Sequence, residues 1–464
     1  MIPEALAVLF LALPLIQPFI NRDRQPPFLP FEGLAWLPLI ALGIMAGIFP
    51  AYGFRPECVL ILVFAFFSTI ANLRSLANKT FHEERPFLSA FALILLIAAA
   101  LPMFAFFPRT ADEEAEPAQT LAVRNEILDR QYFLRVYGAV RPERPLIFIV
   151  PPEVGSAASI DLVCKSLEKN GFTVVTYFRK GFDTPLIDEN GKRHLASAPK
   201  LLSYWHTFQN AAGLASANEK GKKLEEERRS DITFLLPRIF SLVDENELLP
   251  PVLLAGYGAG GSALAYMAGE SGFAARYSNV LGVAAIESRL WSAYQSESPA
   301  VFELPTTGKI PARLWARITG FFRGLSPRRV ELSPSLPRAG LPVMYAVSGR
   351  ALDSQEKQNP YRAVLELMQS GGGPAALAAL EGAGPFDYQD YPLTHPVYSF
   401  LFPGMKGAQK SKTPVNDAAG VIGNFAIMLM ERNGITGPRS AVQGRTAIQG
   451  SLHTESKGIP GFGL

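Results

Sequence analysis

The pattern with the clearest chemical meaning is the glycine-rich run from Gly256 to Gly261, which reads GYGAGG. It follows the apolar run 251–255 and leads into small residues that favour a helix, so the sequence predicts a strand, a tight turn and a helix. Turns of this kind hold a nucleophile in the pattern G-x-S-x-G. Gly256 and Gly260 fill the two glycine positions, but Gly258 stands where the serine would be. Glycine adopts a positive φ readily, so the turn is expected to persist without its nucleophile.

Other residues could act in place of the missing serine. Ser262 lies one helical turn beyond Gly258, and its hydroxyl is expected to cap or pack within the helix. Ser156 and Ser288 could approach from other loops, although their spacing does not select them. The glycines also match the dinucleotide pattern G-x-G-x-x-G. However, the next strand-ending acid, Glu287, lies about thirty residues on rather than the usual ~20. Dinucleotide binding is therefore the weaker interpretation.

Apolar, β-rich runs alternate with helical stretches through the second part of the chain. Clear strands are LIFIV at 146–150 and TVVTY at 173–177, followed by a helix near 222–246. This alternation indicates an α/β fold with a mostly parallel sheet. Within that helix, the charged run from Lys220 to Arg229 is interpreted as a solvated face.

The strand order and the glycine frame make residues 121–432 resemble the α/β-hydrolase superfamily. The segment GVAAIESRLWS at 282–292 is loosely similar to the dienelactone-hydrolase and platelet-activating-factor-acetylhydrolase branches. The resemblance implies an acid after a late strand and a histidine near the end of the domain. Asp353 and His395 stand at those places, in the family's chain order of nucleophile, acid and histidine.

The sequence departs from that family in a second place. The oxyanion loop after the first core strand begins Pro151-Pro152-Glu153. Two prolines remove two backbone N–H groups, and a carboxylate at Glu153 would repel a developing oxyanion. Together with Gly258, this loop predicts a domain that has lost serine-hydrolase chemistry.

The first part of the chain is predicted to be a bundle of about four transmembrane helices within residues 1–108. Each apolar run is close to the ~20 residues needed to cross a bilayer. The chain as a whole is only 18% charged, below the ~25% of a typical soluble protein. The expected spans are 3–20, 34–52, 54–73 and 87–107.

Loop charges predict the orientation of these helices. Two loops that would share one side carry five basic residues, which places that side in the cytoplasm. The large domain would then lie outside the inner or plasma membrane, in the periplasm of a bacterium with two membranes. The five residues are Arg22, Arg24, Arg74, Lys79 and Arg85.

Two further segments are expected to lack a fold of their own. Residues 109–120 are acidic and contain proline and alanine, as in a linker. Residues 433–464 are poor in periodic apolar positions and are predicted to be a disordered tail.

Composition narrows the partners and cofactors. The net charge is +3 and the basic residues are scattered, so nucleic acid is not an expected partner. Two cysteines, Cys58 and Cys164, cannot form a cysteine-based zinc site, and no cofactor is predicted. The expected partners are the lipid bilayer and an unknown small ligand or protein.

Three hypotheses of function follow. The leading one is a membrane-anchored, catalytically inactive α/β-hydrolase-fold protein that binds a ligand or partner at the cell envelope. The second is an active esterase or lipase-like serine hydrolase with a displaced nucleophile. The third is a structural or assembly protein of the membrane.

Overall fold

The structure is a computed structural model of the full chain. All statements below concern the residues that it describes. These are 2–20, 31–52, 58–78, 86–105, 119–141, 144–152, 160–180, 183, 186–187, 193–194, 218–242, 249–288, 340–348, 374–380, 413–435 and 452–457.

Among the described residues, the first part of the chain contains four long apolar helices and one short helical turn. By length and composition, α1 and α4 could cross a membrane, whereas the described apolar parts of α3 and α5 are shorter, at Leu37–Ile48 and Pro86–Leu101. The described structure thus gives two candidate spans of full length, where the sequence predicted about four. The helices are α1 (Ile2–Ile20), α2 (Phe31–Leu34), α3 (Leu37–Tyr52), α4 (Val59–Asn78) and α5 (Pro86–Ala105).

These helices bury both small and large apolar side chains, and they also expose many large apolar side chains on their outer surface. Helix α1 packs against α3 and α5, and α3 packs against α4. Outward-facing Phe67 and Phe87 are 63% and 80% exposed. In a water-soluble bundle, by contrast, the outer face carries mainly polar and charged side chains. Fully buried positions include Ala7, Leu11, Ala41, Met45, Ile61, Ala65 and Leu96.

The remaining described residues form an α/β unit built on a nine-stranded sheet. Its strand order is β1-β2-β4-β3-β7-β8-β9-β10-β11. The six neighbours from β4 to β10 run parallel, while β1, β2 and β11 pair antiparallel. The strands are β1 (Gln119–Asn125), β2 (Arg130–Tyr137), β3 (Leu146–Val150), β4 (Thr173–Arg179), β7 (Val252–Tyr257), β8 (Val280–Ile286), β9 (Val343–Ser348), β10 (Ala375–Leu380) and β11 (Leu452–Lys457).

Helices cover both faces of this sheet. On one face, α6 and α10 pack against a cluster that includes Ile147, Leu253 and Phe425. On the other face, α7 and α8 pack against a cluster that includes Phe148 and Leu254. Every residue of β3, β7 and β8 is buried, as expected of central parallel strands. The helices are α6 (Asp161–Lys169), α7 (Asn218–Ser241), α8 (Ala259–Gly269), the short α9 (Phe273–Arg276) and α10 (Thr413–Arg432), and a separate two-stranded ribbon pairs β5 (Leu186–Ile187) with β6 (Arg193–His194).

Two parts of the sheet were not predicted from the sequence. The hairpin β1–β2 was missed because β1 lies near one edge of the sheet and has few buried side chains. The expectation of a disordered tail over 433–464 is corrected for residues 452–457, because Leu452–Lys457 pairs antiparallel with β10. An edge strand has only one neighbour, so its sequence need not be apolar.

Candidate functional site

The strand order distinguishes the place between β3 and β7 from the rest of the sheet. From β3 the chain crosses to β4 through α6 on one face, and from β7 it crosses to β8 through α8 on the other face. The crossovers therefore reverse direction between β3 and β7. In open α/β sheets, ligands bind outside the carboxyl ends of the strands at such a switch point. Pro151 and Gly258 follow β3 and β7 at this point.

The turn after β7 has the positive φ that the glycine pattern predicted. Gly258 has φ 52° and ψ −120° and directly precedes α8. Its N–H donates to the carbonyl of Ile286 on β8 at 2.9 Å. A side chain in this conformation would be strained, and glycine removes that strain. The turn at Gly258 therefore has the predicted backbone shape but presents no side chain.

The neighbouring glycines are required by close packing. A Cβ on Gly256 would lie 2.6 Å from the backbone nitrogen of Gly261. A Cβ on Gly260 would lie 2.5 Å from Cγ1 of Val150 and 3.0 Å from the carbonyl oxygen of Pro151. The glycines thus hold the turn against β3 and against the start of its own helix.

Two serines lie beside the turn, and both are buried. The Ser262 hydroxyl donates to the carbonyl oxygen of Gly258 at 3.1 Å, so it faces back along the helix. The Ser288 hydroxyl donates to the carbonyl oxygen of Ile286 at 3.4 Å. It also fills the space that a Cβ on Gly261 would need. Neither hydroxyl is presented to solvent in this arrangement.

The other residues predicted for a catalytic site cannot be placed. Asp353 and His395 lie outside the described residues, as do Glu153 and Ser156. The described part of the chain therefore brings Gly258, Ser262 and Ser288 together and leaves the acid and the histidine as predictions.

A buried arginine fixes the start of the loop after β3. Arg228 on α7 donates through Nη2 to the carbonyl oxygen of Pro152 at 3.1 Å. It also donates to both carboxylate oxygens of Asp183, at 3.0 and 2.6 Å. These contacts join α7 to the carboxyl edge of the sheet, one strand away from Gly258.

The same cluster continues to the outer strands. Asp231 accepts hydrogen bonds from Arg130 at 2.9 Å and from the Tyr132 hydroxyl at 2.7 Å. Arg179 at the end of β4 donates to Glu227 at 2.8 Å. The interpretation of Lys220 to Arg229 as a solvated face is thus corrected for Glu225 and Arg228, which are buried, whereas Lys223 and Glu226 are exposed. Glu225, Arg228 and Asp231 repeat every third residue on a helix face that is buried against the sheet.

Burial and neighbouring charges shift the pKa values of this cluster in opposite directions. Burial is the largest single influence on the pKa of Arg228 and lowers it, but Asp183, Tyr177 and Asp231 together outweigh burial, and the pKa is raised well above its usual value. Burial raises the pKa of Asp231, which Arg179 and Arg228 oppose. Burial also raises the pKa of Tyr177 well above its ordinary value. The arginine therefore remains a cation inside the protein.

No group of three or more potential metal ligands occurs among the described residues. Cys58 and Cys164 are both buried and unbridged. The described site therefore offers backbone groups, two buried hydroxyls and a fixed cation.

One comparison with known proteins matches the first part of the chain. A family model described as TP_0976_N, N-terminal domain, matches residues 1–105, less than a quarter of the chain. That match ends at the residue where α5 ends. A search of curated proteins found no match.

Solved structures with similar folds are esterases and related hydrolases. A ferulic acid esterase from Streptomyces cinnamoneus is 13% identical, with a TM-score of 0.40, over 70% of this chain and 94% of that one. An esterase from the archaeon Pyrobaculum calidifontis is 12% identical, with a TM-score of 0.33, over 68% and 85%. The thioesterase domain of a curacin biosynthetic pathway is 12% identical, with a TM-score of 0.31, over 61% and 97%.

These likenesses are distant, so the assignment of fold rests on the chain's own topology. The structure combines a mostly parallel sheet, a switch point between β3 and β7, and a positive-φ glycine turn before α8. From Gln119 onward, the described chain has an α/β-hydrolase-like fold.

Proposed function

We propose that this chain is a membrane-anchored α/β-hydrolase-fold protein that binds a ligand or partner at the cell envelope without serine-hydrolase catalysis. The observation that carries the proposal is Gly258, which occupies the nucleophile turn with φ 52° and has no side chain. An elbow exists to present a nucleophile under strain. Here the elbow is kept and the nucleophile is missing.

The surroundings of Gly258 support the same proposal. The hydroxyls of Ser262 and Ser288 are hydrogen-bonded to backbone carbonyls and are 0% and 1% exposed. The loop after β3 begins with two prolines, which have no N–H to offer an oxyanion. Binding of a ligand or partner needs only a complementary surface at the carboxyl edge of the sheet. Acyl transfer needs a nucleophile and hydrogen-bond donors for the oxyanion.

The proposal includes a multi-pass membrane anchor. Helices α1 and α4 have the length and composition of membrane spans. Helices α3 and α5 pack with them, and large apolar side chains point outward, including Phe91, Ile94 and Leu101 on α5. Lipid hydrocarbon would cover that apolar surface favourably, whereas contact of the surface with water would be unfavourable. The excess of basic residues in two loops favours a periplasmic or external α/β domain.

The test is active-site labelling of the full chain in detergent micelles with a fluorophosphonate probe. We expect no covalent adduct and no turnover of short-chain p-nitrophenyl esters. A serine hydrolase of known activity in the same micelles serves as the positive control. An adduct on Ser262 or Ser288, or ester turnover that is lost in His395→Ala, would instead establish a displaced nucleophile and overturn the proposal.

A further inference from the structure

The turn between β1 and β2 exposes two adjacent apolar side chains. Ile127 is 95% exposed and Leu128 is 42% exposed. Among the described residues from 119 onward, the exposed large hydrophobic side chains are these two and Leu249. Hairpin turns are normally polar, and single exposed apolar residues are common. A pair at the tip of a hairpin is a different case, because both side chains project from the same point.

The turn is held rigid by its own hydrogen bonds. The side-chain oxygen of Asn125 accepts from the N–H groups of Ile127 at 3.1 Å and Leu128 at 3.2 Å. Arg124 bridges to Asp129 across the turn at 3.0 Å. Two backbone donors at the tip are therefore satisfied within the protein. Unpaired backbone N–H and C=O groups cause the main free-energy cost of moving a turn from water into an apolar environment. This tip has fewer such groups than a turn without these hydrogen bonds.

The tip lies at the carboxyl edge of the parallel strands. Tyr132 near the start of β2 pairs with Arg179 at the end of β4, so the turn before β2 projects beyond that edge. Gly258 lies at the same edge, after β7. Lys180 is exposed, and its backbone N–H donates to the carbonyl oxygen of Gln131 at 2.9 Å, so its ammonium group lies near the tip and could reach lipid phosphates.

The tether to α5 is long enough for the tip to return to the bilayer. Helix α5 ends at Ala105 and β1 begins at Gln119. The fourteen residue steps between them span at most about 50 Å when extended, and β1 adds roughly 24 Å to the tip. The tip can therefore lie at the membrane surface where α5 ends.

We propose that the Ile127–Leu128 tip inserts into the interfacial layer of the bilayer that holds α1 and α4. The contact would orient the carboxyl edge of the sheet, with Gly258, toward the lipid surface. This inference rests on the proposed membrane anchor. Two apolar side chains bind a bilayer weakly from solution, but a short tether raises their effective concentration to about the millimolar range.

The experiment uses the full chain in lipid vesicles with an environment-sensitive fluorophore on a single introduced cysteine. The two native cysteines are both buried, so labelling at Ile127→Cys is selective. Ser278→Cys is the matched control, because Ser278 is exposed and lies just before β8, at the opposite edge of the sheet. We expect a blue-shifted emission at position 127 and quenching by lipids that carry a quencher high on the acyl chain. Neither effect is expected at position 278.

Flotation of the same vesicles after carbonate washing separates the two proposals. Protein that floats but shows equal emission at positions 127 and 278 overturns the inference and leaves the anchor standing. A blue shift at 127 without quenching by lipid also overturns it, since the tip would then be covered by protein. Protein that does not float refutes the anchor and the inference together. Leu128→Cys provides a second labelled site, where the same blue shift and quenching are expected.

Discussion

Arg228 and Asp183 form a doubly hydrogen-bonded ion pair in which both side chains are only 2% exposed. Removing Asp183 leaves Arg228 with Asp231, at 3.7 Å, as a remaining acidic partner, so the cost should lie at the lower end of the range of about 3–5 kcal/mol for breaking a buried pair. We therefore expect Asp183→Ala to lower the free energy of unfolding by that amount. Chemical denaturation of the full chain in micelles, followed by circular dichroism, measures the change.

The exposed pair Arg229–Glu270 offers the matched control. Its side chains are 38% and 42% exposed, and pairs of this kind contribute less than about 1 kcal/mol. Glu270→Ala should therefore have a small effect. Equal losses in the two variants would show that the buried pair is not the anchor of α7.

The glycine before the turn tolerates no side chain. A Cβ on Gly256 would lie within 2.9 Å of three backbone atoms of Gly260 and Gly261. Backbone cannot move aside as a flexible side chain can, so Gly256→Ala is expected to destabilise the fold by about 3 kcal/mol or more. Gly340→Ala is the control, because its Cβ would meet Ala268 at an ordinary 3.5 Å. A neutral Gly256→Ala in the same denaturation assay would contradict the close packing of strand and helix.

Stability should fall in alkaline solution. Burial raises the pKa of Tyr177 well above its ordinary value, whereas an unfolded tyrosine titrates near pH 10. Its stabilising effect is fully present below about pH 10 and is lost as the pH rises toward the folded-state pKa. Each such tyrosine lowers the unfolding free energy by about 1.4 kcal/mol per pH unit in that range.

Replacing the Tyr177 hydroxyl measures its contribution to the pH dependence of the unfolding free energy. In Tyr177→Phe, the dependence of unfolding free energy on pH above 10 should be shallower by about that slope. Below pH 9, the difference between variant and wild type should be constant. Parallel curves for the two proteins up to pH 12 would show that Tyr177 does not titrate with unfolding.

The proposed anchor predicts that a charged side chain on the outer face of α4 weakens retention in the membrane, whereas an apolar side chain does not. Phe67 is near the middle of the helix and is 63% exposed. An arginine at the centre of a membrane span costs about 3 kcal/mol, so Phe67→Arg should reduce the fraction of protein that resists carbonate extraction. Phe67→Leu should leave that fraction unchanged. If both variants are extracted equally, the outer face of α4 does not meet lipid.

The sequence was informative where the physical constraint is local and strong. The central strands are apolar throughout, because they are buried on both faces, and this predicted β3, β7 and β8. The glycines at 256 and 260 predicted a close strand–helix turn, and the contacts of their absent Cβ atoms give the reason.

The sequence was less informative where partners come from distant parts of the chain. The buried face of α7 was taken for a solvated one, because its charges are matched by Asp183 and Arg179 on other segments. A spacing of three between Glu225, Arg228 and Asp231 was the available signal. The membrane spans were predicted as four, and the described helices give two of full length. Asp353 and His395 remain predictions, since they lie outside the described residues.

The edge strand β11 has a consequence for the order of events during synthesis. It pairs with β10 through residues 452–457, more than seventy residues after β10 ends. At about 5–20 residues per second, the ribosome needs several seconds to make that intervening chain. Throughout that interval the edge of β10 is complete but unpaired, next to a membrane in the proposed arrangement. The growing domain is therefore exposed to mispairing and to chaperone capture until β11 emerges.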